Sequence, residues 1–76
     1  MTVHDEALAA RVRSSLEMDK RISHLPIDAR VSNGDVYLKG KVDNLEEEDT
    51  IQFIVRGIPG VRHVDVSELE IRGKGR

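Results

Sequence analysis

Ile27-Asp28-Ala29-Arg30-Val31-Ser32-Asn33-Gly34-Asp35-Val36-Tyr37-Leu38-Lys39-Gly40-Lys41-Val42 decides the fold. From Ile27 to Val31 apolar and charged residues alternate, and from Val36 to Val42 they alternate again. Between the runs stands Asn33-Gly34, two residues that accept the positive φ of a type I′ turn, so the stretch reads as a β-hairpin. A two-residue turn sets Val31 opposite Val36 and Ala29 opposite Leu38. It also sets Asp28 opposite Lys39 and Arg30 opposite Tyr37. One face of the hairpin is then wholly apolar, and the other carries an opposite-charge pair. Gly40 falls on the apolar face opposite Ile27, where a strand glycine marks a bulge or the close passage of another element, most simply a helix crossing over it.

On the N-terminal side, Val3 to Met18 reads as an amphipathic helix. Leu8, Val12 and Leu16 recur every four residues with Ala9 beside them. Thr2 is placed to cap it, and Asp5 and Glu6 suit the positive end of its dipole. Asp19 to Pro26 breaks the period and reads as a connector. On the C-terminal side, Asp43 and Asn44 each have a glutamate three residues on, so either can open a capping box. Ile51, Ile54, Val55 and Ile58 then follow helical spacing until Gly57, Pro59 and Gly60 stop the helix. A last strand begins at Val61 and runs through Val64, Val66, Leu69 and Ile71, with a bulge expected near Ser67-Glu68 where alternation breaks. A right-handed crossover makes the second and third strands parallel neighbours. The expected class is α+β, order α-β-β-α-β, with two helices packed on one face of a three-stranded mixed sheet.

Seventy-six residues allow one domain, spanning 1–76 with a core of about 3–72 and a loose tail at 73–76. Only 38% is hydrophobic, so stability of roughly 3–5 kcal/mol is expected. Twelve Lys and Arg against fourteen Asp and Glu give a net charge of −2. That balance lacks the basic excess a nucleic-acid domain uses to neutralise phosphates. Without Cys there is no disulfide, thiolate zinc site or Cys nucleophile. Asp5, Glu6, Arg11 and Arg13 interrupt the first fifteen residues, leaving no apolar leader core and no transmembrane segment. As written the chain would stay in the cytoplasm; cut from an exported protein, it would belong to the periplasm or cell envelope.

No residue set for catalysis, cofactor binding or metal binding emerges. His4, His24 and His63 lack ligand spacing. Ser14-Ser15 lack a nucleophile elbow, and the carboxylates sit where helix N-termini and exposed strand faces favour them. Gly57-Ile58-Pro59-Gly60 ends a helix, whereas a phosphate loop begins one. Two features stand out. Arg30, Tyr37, Lys39 and Lys41 share the open hairpin face, a basic strip with one amphipathic aromatic that suits anionic headgroups. Phe53 points nearly opposite the apolar stripe of its helix, so it is expected to be exposed and available as an interface anchor.

Asn33-Gly34-Asp35-Val36-Tyr37-Leu38-Lys39-Gly40-Lys41-Val42 resembles the hairpin motif of the BON domain, a small α/β domain of bacterial envelope and osmotic-stress proteins. Ile58-Pro59-Gly60-Val61-Arg62-His63-Val64 is similar to that family's entry to its last strand. The resemblance runs from about Asp5 to Ile71, and Gly34, Gly40 and Gly60 match as fold glycines. It implies the α-β-β-α-β fold and a non-catalytic role in attachment to phospholipid surfaces or envelope proteins. The usual envelope members carry a signal peptide, and the Val64–Leu69 stretch here is about a residue longer than is common. No lipid-contacting set carries over with the motifs. The expected function is therefore peripheral binding of anionic phospholipid through Arg30, Tyr37, Lys39 and Lys41. The alternative is a protein-interaction or self-association module using Phe53, its oligomeric state left open by the sequence.

Overall fold

The hairpin register expected from Asn33-Gly34 is the register observed in the computed structural model, which describes residues 3–72. Strands β1 (Ile27–Ser32) and β2 (Asp35–Val42) pair antiparallel, with Val31 opposite Val36, Ala29 opposite Leu38 and Asp28 opposite Lys39. Asn33 and Gly34 take φ of 53° and 85°, as the turn requires. Ala29, Val31, Val36 and Leu38 are buried, while Asp28, Arg30, Tyr37, Lys39 and Lys41 are exposed.

The hairpin tip is held from both sides. Asp5, only 4% exposed, accepts a hydrogen bond from the Asn33 backbone N–H at 3.2 Å. The Gly34 carbonyl accepts from the Arg62 N–H at 2.8 Å, and the Arg62 guanidinium reaches the Asn33 carbonyl at 3.4 Å. Gly40 corrects an expectation. The atoms nearest to it belong to the backbone of Pro26 and Ile27, not to a helix: a Cβ there would collide with the Pro26 carbonyl oxygen and lie 3.0 Å from the Ile27 Cα. The backbone entering β1 is what excludes a side chain.

Helix α1 (Val3–Met18) buries Leu8, Ala9, Val12 and Leu16. Arg13 on α1 donates to the Ala29 carbonyl at 2.9 Å, tying the helix to β1. The connector does more than bridge. Turns closed by the Ile22 and Ser23 N–H groups on the Asp19 carbonyl bury Ile22, and Leu25 joins it in the core. Helix α2 (Leu45–Arg56) starts at Asn44, whose side chain accepts from the Glu47 N–H at 2.9 Å. Glu47 returns a carboxylate oxygen to the Asp43 N–H at 2.7 Å. The two candidate caps thus divide the work: Asn44 caps the helix and Asp43 supplies the reciprocal N–H. Ile51, Val55 and Ile58 face the core.

Strand β3 (His63–Ile71) runs parallel to β2 in a sheet ordered β1-β2-β3. It begins at His63 because the Val61 N–H is bonded to the Ile58 carbonyl in a turn. Tyr37 faces Asp65 and Lys39 faces Glu68, so Leu38 alone spans Val66 and Ser67. That is the expected bulge, set one residue earlier. With the buried stripes of both helices and the apolar side of all three strands in one core cluster, the fold is the expected α+β arrangement. The expected Thr2 cap and loose tail at 73–76 lie outside the described residues.

Candidate attachment surfaces

The open sheet face carries Arg30, Tyr37, Lys39 and Lys41 together, because alternate residues of a hairpin share one side. Asp28 turns to Arg30 at 3.9 Å along its own strand, although Lys39 faces it across the hairpin. Among the described residues Lys39 and Lys41 form no ion pair. The third strand changes the character of this face. Parallel pairing sets Asp65 beside Tyr37, Glu68 beside Lys39 and Glu70 beside Lys41, all exposed. With Asp28, four carboxylates meet three cations, so the strip is flanked by opposite charge on both sides. Asp65 is held below the usual carboxylate range, first by the Ser67 hydroxyl at 2.6 Å and then by the Ser67 N–H at 2.8 Å. It therefore stays ionised to a lower pH than an ordinary aspartate.

A second surface lies where the end of α2 meets the middle of α1. Phe53, 78% exposed, stands beside Ile54, Gly57, Ile58 and Pro59 along a shallow groove of about 640 Å³. Arg11 and Arg56 flank the groove. Arg56 donates to Gln52 at 3.0 Å, one turn back along the helix. At the far end of the same helix, Leu45 is 61% exposed amid Glu46, Glu47 and Glu48. The outer side of α2 thus bears exposed apolar residues toward both ends and opposite charges at those ends.

Spacing along the chain missed one grouping. His24 from the connector, Asp43 and Glu47 bring ligand-type atoms within 4.8 Å of one another. Those carboxylates have other partners. One Glu47 oxygen closes the helix cap, the other lies 3.9 Å from His24, and Arg72 reaches Asp43 at 3.4 Å. His4 and His63 are exposed and lie outside this group. Ser14 is exposed and Ser15 half-buried on α1. Asp19 is lowered by its hydrogen bonds and ion pair to Arg21, which ties down a loop turn.

A family model for the BON domain matches residues 4–73. The chain belongs to the BON-domain family. An uncharacterized protein of Deinococcus radiodurans is 33% identical over 64 residues, covering 84% of this chain and 25% of that protein. The C-terminal domain of CdsD, the structural protein of the type III secretion system of Chlamydia trachomatis, superposes with a TM-score of 0.70. That match has 16% identity over 88% of this chain and 33% of the other, and it concerns the fold alone. This chain spans about a quarter to a third of the length of these two proteins. The family points to a non-enzymatic module, and no catalytic family is indicated. No helix among the described residues is long and apolar enough to cross a membrane.

Proposed function

We propose that this BON domain attaches a larger bacterial envelope protein to a protein partner through the outer face of α2 and the adjoining part of α1. Phe53 carries the reading. An exposed aromatic beside Ile54, Ile58 and Pro59, with Arg11 and Arg56 at the rim, has the composition of an interface centre: aromatic and arginine anchors around an apolar floor. Secretion-system architecture, the setting of the CdsD domain, is consistent with such a role. A photo-crosslinking residue at position 53 of the parent protein in cells tests it, with Lys20 as control site. Protein adducts from position 53 alone are expected. Adducts equally frequent from both sites, or from neither, overturn the reading.

Peripheral binding to anionic phospholipid is the second reading, favoured by Arg30, Tyr37, Lys39 and Lys41 sharing one exposed face, with both lysines unpaired among the described residues. Each basic residue near an anionic surface contributes about 1 kcal/mol, and the neighbouring Asp65, Glu68 and Glu70 oppose it. An NMR titration with phosphatidylglycerol vesicles separates the two readings. Salt-sensitive perturbation confined to residues 28–42 supports lipid, and an unmoved sheet face removes it.

A further inference from the structure

Resting on the protein-docking reading, we infer that the occupant of the α2 surface is a second copy of this chain, apposed antiparallel across a two-fold axis. Leu45, Glu46, Asp49, Phe53, Arg56 and Gly57 lie on one side of α2, within about 120° of one another at 100° per residue. All six are exposed. The helix is polar in charge along its length: Glu46, Glu47 and Glu48 occupy the first turn and Arg56 the last. Antiparallel apposition sets each acidic end against the other copy's basic end, and it also opposes the two helix dipoles favourably.

One register satisfies shape and charge together. Placing Leu45 of one copy over Gly57 of the other sets the exposed leucine where the second copy has no side chain. There it is bordered by Phe53, Ile54 and Ile58 of that copy. The same register brings Glu46 opposite Arg56, twice by symmetry, while Arg11 extends the basic rim toward the acidic turn. Asp49 lies two residues from the axis and is the one place where like charges approach. Parallel apposition lacks this match, because it sets glutamates against glutamates and Arg56 against Arg56. The patch is small, so association falls in the weak, transient class and strengthens where copies are concentrated or tethered.

Sedimentation equilibrium up to roughly millimolar protein tests the inference, with circular dichroism as a check on folding. Glu46→Arg and Arg56→Glu each turn two attractive pairs into repulsive ones and should weaken self-association roughly tenfold or more. An equimolar mixture of the two variants restores both pairs and should dimerise again. Asp49→Asn should tighten the dimer, a gain that a folding defect cannot imitate. A wild type that stays monomeric throughout, a mixture no better than its parts, or an Asp49→Asn protein that associates no more tightly overturns the inference. Protein adducts at position 53 to a different chain would then leave the docking reading standing without it.

Discussion

Alanine at Gly40 and alanine at Gly34 are the same chemical change at two positive-φ positions of one strand pair, yet the structure assigns them different costs. Gly34, at φ 85°, has Arg62 Cγ and Cδ at 2.9 Å from an added Cβ and the Gly60 carbonyl at 3.3 Å. Arg62 is exposed and its side chain can rotate away, so the cost is mainly the left-handed backbone, about 1–2 kcal/mol. Gly40, at φ 150°, lies in a region that is nearly glycine-only and costs about 1–3 kcal/mol for other residues. Its Cβ would also collide with the Pro26 carbonyl, which belongs to the chain entering β1 and cannot rotate aside. Displacing packed backbone adds about 1–3 kcal/mol. The total, about 2–6 kcal/mol, rivals the whole stability of a domain this size, roughly 3–5 kcal/mol. Urea denaturation followed by far-ultraviolet circular dichroism should give Gly34→Ala a shifted but cooperative transition. Gly40→Ala should be largely unfolded without denaturant and recover on adding a stabilising osmolyte. Equal midpoints for the two variants would refute the argument that the backbone neighbour sets the cost.

Asp5→Ala should destabilise by about 2–3 kcal/mol, because a buried carboxylate that accepts from Asn33 is lost, and amide exchange at Asn33 should accelerate. Unchanged exchange there would remove Asp5 from the hairpin tip. Ile22→Ala should cost about 2–4 kcal/mol in the same urea assay despite lying in a connector, and a loss below about 1 kcal/mol would place it outside the core. Carboxyl-carbon NMR should find Asp65 titrating below ordinary aspartate, with Ser67→Ala raising the midpoint. Because the folded value is depressed, Asp65 stabilises above its unfolded pKa and that contribution fades as pH falls through the folded one. An unmoved midpoint in the Ser67 variant would assign the shift to another cause.

The hairpin and its register were legible because side-chain period and turn chemistry both act within sixteen residues. The core stripes of α1 and α2 were legible for the same local reason. What escaped depends on contacts distant in sequence. Asp5 looked like a helix-dipole residue, since nothing near it reveals that the helix presents it to Asn33, 28 residues on. Ile22 and Leu25 escaped because a turn of irregular backbone has no period to read. Gly40 was correctly placed on the apolar side, but which neighbour excludes a side chain there is a matter of the path of Pro26. His24 meets Asp43 and Glu47 only once the connector folds back on the start of α2.

The charges of the two surfaces are arranged differently, and that difference ranks them. On the sheet, cations and carboxylates interleave across neighbouring strands, Lys39 between Asp28 and Glu68 and Lys41 beside Glu70. Strands lie about 5 Å apart, well inside the Debye length of about 8 Å at physiological salt. The fields of such neighbours largely cancel before reaching a planar anionic surface. Reading β2 without β3 therefore made the strip look more basic than its surroundings allow. On α2 the charges are segregated instead, acidic at one end and basic at the other, about 15 Å apart along a helix of this length. Separation beyond a Debye length prevents self-cancellation, so each end remains available to a partner of opposite sign. Exposed Leu45 and Phe53 lie beside those two ends, where charge pairing would bring them into contact with a partner. Interleaving serves solubility, whereas segregation serves orientation, and of these two surfaces α2 has the second.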